Sequence, residues 1–381
     1  MLSLKWKLAG WTILASGLNF LSSFLLASLY NVKAFGYYAS VLAISTLGSF
    51  IFTLRADLFS VEDDAFPELV FISAILLLFL MPFSLIYDDG LVVILWGFSI
   101  SLFSICTYKS ISKGNQLLIG YFRVLNVILI IIAQLLCLYI FSKENSGLYI
   151  GAAIGSLLTS IIYFFVVMDE YYLRREKFIL LKRRFKSYAS ASFSWLLDNL
   201  LLFFIPLCSV YIFTIEELGY FNFAERFFKA PVGVLVSSIV PFYIAKLAKE
   251  SVVSSGILLT QWYRVLVILI PFMFLIILVL PNVVESFWGS KWLASLNYIY
   301  PLAVFYTFYI LSSSTAYVYV KFDKYSYYIA MQLSLVLVVV LIALIGVDDL
   351  YSFYIMFLIA YVIFQFVNLL TQLKVLNGKN D

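Results

Sequence analysis

The sequence contains no histidine, and only 12% of its 381 residues are Asp, Glu, Lys or Arg. Without imidazole there is no His general base, no Ser-His-Asp triad and no His-ligated metal. A soluble domain carries about 25% charged residues, so this chain has too little polar surface for water. Cysteine is nearly as scarce: Cys106, Cys137 and Cys208 each lie inside an apolar run, without metal-ligand spacing. They read as small buried hydrophobes. The net charge of +4 is small and dispersed, which argues against nucleic acid as a partner. No cofactor and no metal site is expected from these residue types. What fills the chain is apolar: 64% hydrophobic and 19% aromatic. The expected class is an all-α polytopic membrane protein.

A spanning helix needs about 20 predominantly apolar residues. Apolar runs between polar or turn-forming breaks predict about 12 of them. They lie near 8–30, 35–56, 69–87, 91–112, 117–141, 147–168, 188–214, 219–246, 261–281, 293–320, 325–346 and 350–373. The first is too long for a signal-peptide core of about 7–15 residues and reads as an uncleaved first helix. Eighteen of the 25 Lys and Arg gather on alternate connections and the two termini, against Lys33, Lys143 and Lys291 on the others. That asymmetry places both termini in the cytoplasm.

The longest polar stretch, Asp169 to Tyr188, holds seven cations between Arg174 and Lys186. It reads as an amphipathic linker lying on the anionic inner leaflet, with membrane lipids as its partner; a regulatory or partner site is the alternative. A six-helix bundle over 1–168, a basic cytoplasmic linker over 169–187 and a second six-helix bundle over 188–381 follow. An internal repeat supports the division: Phe35-Gly36-Tyr37-Tyr38 returns as Leu218-Gly219-Tyr220-Phe221, an offset of 183. An even number of spans per half gives both halves one orientation and predicts a central cleft.

Within the apolar runs, a few polar residues share helical faces. Asn222, Glu225, Arg226 and Lys229 are spaced 3, 1 and 3 and fall on one face. A charge near the bilayer centre costs roughly 2.5–3.5 kcal/mol and persists where it faces a bundle interior or a watery cavity. Asp198, about ten residues into its run and so about 15 Å deep, also needs a partner. Arg226 or Lys229 would serve, either in a coupling role or as a purely structural ion pair. Two cations against one or two acids suit an anionic ligand such as a phosphate or pyrophosphate.

Other stripes are Thr12, Ser16, Asn19 and Ser23; Arg123, Asn126 and Gln134; and Ser187, Ser190, Ser194 and Asp198, with Asn199 alongside. Hydroxyls at such spacings also pack helices together in lipid. Trp288 and Trp292 flank Gly289-Ser290-Lys291 as an outer interfacial belt would. Six tyrosines from Tyr298 to Tyr319 suit either packing or stacking on sugar rings.

Three ordered segments resemble the Wzx-type polysaccharide and O-antigen flippases of the multidrug/oligosaccharidyl-lipid/polysaccharide exporter superfamily. They are Phe35-Gly36-Tyr37-Tyr38 with Thr53-Leu54-Arg55-Ala56-Asp57, Gly219-Tyr220 through Ala224-Glu225-Arg226 to Pro231 and Pro241, and Phe287-Trp288-Gly289-Ser290-Lys291-Trp292. The chain departs from the pattern in having twelve expected spans rather than the fourteen of some members.

The resemblance implies no enzyme but a flippase of a bacterial inner membrane. Its substrate would be an undecaprenyl-pyrophosphate-linked oligosaccharide, moved from the cytoplasmic to the periplasmic leaflet by alternating access. A polysaccharide polymerase and a chain-length regulator would be its protein partners. The family's cationic cavity would fall to Arg226 and Lys229, with Arg123, Asn199 and Asn19. Asp198 or Glu225 would couple ions, and Arg55 would be a structural inner-end anchor. A drug or cation antiporter of the same superfamily, and a membrane polymerase or glycosyltransferase, are the alternatives. The first would want an acidic cleft and the second a long catalytic loop.

Overall fold

The computed structural model describes residues 2–53, 66–85, 89–141, 145–168, 173–174, 176–179, 181–182, 193, 196–197, 200, 202–207, 212–249, 271, 274–275, 277–315, 318–319 and 325–377. Among these residues every regular element is helical. Nine of the described helices are long and apolar enough to cross a membrane, and the chain is an all-α, multi-pass membrane protein. It divides into two compact units, Met1–Tyr211 and Ile212–Asp381.

The first unit is built from α1 (Leu2–Leu29), α2 (Val32–Thr53), α3 (Phe66–Leu80, continued by the 3-10 turn Met81–Leu85), α4 (Gly90–Ser112), α5 (Gln116–Ile140) and α6 (Gly147–Val167). Lipid tails are as apolar as Leu, so helices here associate by close backbone approach and hydrogen bonds between small polar groups. α5 and α6 meet in this way. A Cβ on Gly151 would lie 2.5 Å from Gln134 Cα, and one on Gly155 would lie 2.5 Å from Ile130 Cα.

A serine seam joins α2, α3, α4 and α6. Ser99 and Ser156 hydroxyls are 2.9 Å apart, Ser160 donates to Ser99 O at 2.8 Å, Ser101 to Ser49 O at 2.7 Å, and Ser73 to Phe52 O at 2.9 Å. Those hydroxyls carry the packing role. Cys106 and Cys137 are free, buried thiols; Cys208 lies outside the described residues. At one end of the bundle Phe66, Leu69, Val70, Leu102, Ile105, Cys106, Phe122, Tyr163, Val167 and Leu181 form a common core.

The second unit contains α7 (Ile215–Lys249), a 3-10 segment (Gly289–Tyr298), α8 (Ile299–Thr315), α9 (Tyr325–Ile345) and α10 (Leu350–Asn377). α7 has 35 residues, about 52 Å at 1.5 Å per residue, well over the thickness of a hydrocarbon core. Aromatic rings pack α7 to its neighbours: Phe221 lies 5.0 Å from Tyr354 and 5.6 Å from Tyr298, centroid to centroid. Tyr306 and Tyr319 are fully buried and Tyr300 is exposed, so most of the tyrosine-rich stretch packs the interior. The expected runs 188–214 and 261–281 fall largely outside the described residues.

One expectation is corrected here. The stretch between the expected runs 261–281 and 293–320 is not a loop, and Trp292 is not at a surface. Residues 277–288 are helical, and Gly289, at φ +63, ends the helix in the left-handed conformation that suits glycine. The chain then turns through the 3-10 segment. Trp292 is fully buried, its ring 4.3 Å from Phe223. Packing against the aromatic face of α7 outweighs interfacial placement.

The internal repeat has a structural counterpart. α2 starts after Asn31, whose Oδ1 accepts from Ala34 N at 2.8 Å. α7 starts after Thr214, whose Oγ1 accepts from Glu217 N at 3.2 Å while Glu217 Oε2 accepts from Thr214 N at 3.0 Å. These caps satisfy amides that a helix start leaves open, and they stand 183 residues apart, like the motif. Phe35 and Leu218, each the fourth residue of its helix, are both fully buried.

Candidate functional site

The polar face of α7 is real, and each of its cations is held from within the helix. Arg226 Nε donates to Asn222 Oδ1 at 3.1 Å. Lys229 Nζ lies 3.7 Å from Glu225 Oε1. Both pairs span four residues, the spacing at which helical side chains meet. Asn222 and Glu225 are buried. The Lys229 side chain is about half exposed, at 49%, and Arg226 is half-buried.

A neighbouring helix fixes the acid. Tyr306 of α8 donates its hydroxyl to Glu225 Oε1 at 2.7 Å and is itself buried. Tyr354 of α10 is buried, and its hydroxyl has no hydrogen-bond partner among the described residues. Among the described residues one carboxylate stands with two cations and the buried Tyr306 phenol. Counting only the described residues, the group retains a positive balance, with its cations at the more accessible end of the cluster. Such an arrangement can receive an anion and supplies bidentate donors from Arg and a point charge from Lys.

The remaining candidates divide by unit. Arg123, on α5 of the first unit, is half-buried and donates from Nη1 to Thr12 Oγ1 of α1 at 2.9 Å. α1 reaches it because Gly120 is bare: a Cβ there would lie 2.6 Å from Trp11 Cβ. Asn126 Oδ1, one turn further along α5, is buried without a partner among the described residues. Gln134 is committed to structure, its Nε2 bonding Leu148 O at 3.0 Å. Asn19 is exposed, and its backbone carbonyl accepts from Ser22 and Ser23, both at 2.8 Å. Arg55, Asp198 and Asn199 lie outside the described residues. Among the described residues no cluster of three or more Cys, Asp and Glu could hold a metal.

Sequence reading missed three features. Tyr306 was one of a crowd, and only the fold shows that its hydroxyl reaches Glu225. Glu68 is completely buried at the start of α3, and its Oε1 accepts the Arg174 amide at 2.7 Å. A third feature is a buried, uncharged network in the second unit. Tyr319 donates to Asn368 Oδ1 at 2.8 Å, Gln372 Nε2 to the same oxygen at 3.1 Å, and Asn368 Nδ2 reaches Gln365 Oε1 at 3.4 Å. The spacing of Gln365, Asn368 and Gln372, 3 then 4, was a readable signal for that last one.

No family model matches the sequence, and no curated protein matches it. Solved structures do match in fold. A structure of the lipid II flippase MurJ in an inward closed conformation aligns at TM-score 0.72 and 15% identity, covering 98% of this chain and 87% of that one. An inward-facing multidrug resistance MATE family transporter of the MOP superfamily aligns at 0.64 and 14%, covering 99% and 95%. A MOP superfamily transporter from Pyrococcus furiosus, described as having a binding pocket of reversed polarity, aligns at 0.62 and 14%, covering 99% and 96%. Near-complete coverage in both directions at such low identity is a likeness of architecture: this chain has the fold shared by MurJ and the MATE transporters of the MOP superfamily.

Proposed function

We propose that this protein is a flippase for a lipid-linked oligosaccharide. It carries an undecaprenyl-pyrophosphate-linked repeat unit from the cytoplasmic to the periplasmic leaflet of a bacterial inner membrane by alternating access. The observation that carries this reading is the pair Arg226 and Lys229, held on one face of α7 by Asn222 and Glu225. In a protein with this fold, two braced cations match a pyrophosphate in charge and in donor geometry. The MurJ likeness supports a lipid-linked substrate.

In this reading Arg123 is a secondary anion contact in the first unit, and Asn19 and Asn199 are sugar contacts. Glu225 and Asp198 are the groups available for ion coupling, and Arg55 is an inner-end anchor. The protein is a carrier rather than an enzyme, with both termini cytoplasmic. Its two bundles run over 1–168 and 188–381 with a basic linker between, and a polymerase and a chain-length regulator act on what it delivers.

The test is complementation of a strain lacking its own flippase. The wild-type chain restores surface polysaccharide. Arg226→Ala combined with Lys229→Ala, at equal expression, lowers it at least about tenfold, as losing charge-assisted hydrogen bonds of about 1.5–3 kcal/mol would. Full restoration by the double variant refutes the site. The MATE likeness favours a second reading, drug or cation export. Failure to complement, together with a lowered susceptibility to cationic drugs, would establish that one instead.

A further inference from the structure

At one end of the first unit, the chain leaving α6 folds back against the start of α3. Val167, the last residue of α6, shares a core with Phe66 and Leu181. Lys113 Nζ donates to Val167 O at 3.1 Å, satisfying one of the carbonyls that a helix end leaves open. Glu68 reaches from α3 to the Arg174 amide at 2.7 Å. Phe178 meets Phe71 edge-on, centroids 6.2 Å apart, and Leu181 is buried. Two attachments, at 174 and 178, pin this segment to α3, and a third, at 181, joins it to the common core.

Its depth follows from the helix it touches. Phe71 is five residues into α3, about 7.5 Å from the helix start, and is partly exposed on the flank of the bundle. The segment thus lies at the level of the first turns of a spanning helix, where hydrocarbon gives way to headgroups. With Phe178 and Leu181 turned inward, the outward side presents Leu173 and Ile179, both exposed, together with exposed Arg174 and Lys182. Apolar and cationic groups side by side match a surface that is apolar beneath and anionic above. A soluble anion would use the cations and leave Leu173 and Ile179 in water.

We propose that the described residues 173–174, 176–179 and 181–182 form an interfacial strap, pinned to α3 by Glu68 and binding the anionic headgroups of the leaflet at that end of the first unit. Glu68 is a positioning residue. It touches no lipid, but its buried carboxylate fixes the register in which Arg174 and Lys182 meet the headgroups. The strap involves none of the α7 cations and would bind headgroups whether or not the transported substrate is an oligosaccharide lipid.

Hydrogen exchange on the full chain tests it, in nanodiscs of phosphatidylcholine alone or mixed with phosphatidylglycerol. Amides of 173–182 are expected to exchange about tenfold more slowly in the mixed bilayer. Arg174→Gln with Lys182→Gln should abolish that difference while α4 protection stays unchanged. Glu68→Leu should speed exchange at Arg174 in both bilayers, and unchanged protection of α4 shows that the variant is folded. Equal exchange in the two bilayers overturns the proposal, as does a difference that survives the double substitution. Slowing reproduced by inorganic phosphate over phosphatidylcholine would mean that a free anion is the ligand and would also overturn it. If Glu68→Leu leaves Arg174 exchange unchanged, the pin is not Glu68.

Discussion

Arg226 and Lys229 owe their placement to residues one turn earlier, and the two braces differ in kind. Asn222 offers Arg226 a neutral oxygen at 3.1 Å, which orients the guanidinium without cancelling its charge. Glu225 offers Lys229 a carboxylate at 3.7 Å, which offsets it. The acid in turn depends on Tyr306. Hydrogen bonds to a charged group contribute about 1.5–3 kcal/mol, so Tyr306→Phe should lower stability by about that amount. A thermal shift in detergent measures it, and an unchanged midpoint would mean that the 2.7 Å contact carries no energy. The spacing of the α7 residues was legible in the sequence because helical period alone decides which side chains share a face. The partner of Glu225 was not, because Tyr306 is 81 residues away and nothing local distinguishes it from Tyr300 or Tyr309.

Among elements, the α5–α6 contact and the start of α10 make the sharpest demands. At Gly151 the obstruction is backbone, Gln134 Cα at 2.5 Å and Gln134 N at 2.7 Å, so a methyl group there must push the helices apart. Gly151→Ala should cost about 1–3 kcal/mol by overpacking. Gly48→Ala, with nothing within 4 Å of the new Cβ, should be neutral or mildly stabilising, since Ala favours a helix interior. Comparing the two midpoints in detergent isolates packing from propensity, and equal shifts would defeat the argument.

α10 begins after Asp349, which accepts from Ser352 N at 2.8 Å and Ser352 Oγ at 2.7 Å. The backbone and hydroxyl donors of Ser352 hold the Asp349 carboxyl below its usual range. Because the folded-state pKa is depressed, the stabilisation is fully present above the unfolded value, near 3.9. It disappears as pH falls through the lower folded value. An Asp349→Asn variant should lose that part of the acid dependence. An acid-side stability profile identical to wild type would count against the cap.

At the scale of the whole chain, sidedness is the quantity to measure. In the proposed orientation, read from the positive-inside pattern, the α4–α5 connection is cytoplasmic and the α9–α10 connection lies opposite. Asn115 is exposed and makes no side-chain cap bond, and Asp348 is exposed as well, so both tolerate replacement by cysteine. In intact cells, an impermeant maleimide should label Asp348→Cys and leave Asn115→Cys untouched until the membrane is opened. The reverse pattern would invert the orientation.

The sequence by itself determined the class of protein, the positions of most described spans, the 183-residue repeat and the shared polar face of α7. All of these follow from composition and local period: a bilayer demands long apolar runs, and a helix sets which residues lie together. Tertiary structure alone decided which side chains meet across helices. It paired Glu225 with Tyr306, set Arg123 on Thr12, buried Trp292 against Phe223 and tied Glu68 to the Arg174 amide. Those contacts join residues far apart in the chain, and their geometry depends on how closely helices approach at bare glycines and small hydroxyls. No local pattern encodes that approach, because between helices in lipid the packing itself supplies the force that selects it.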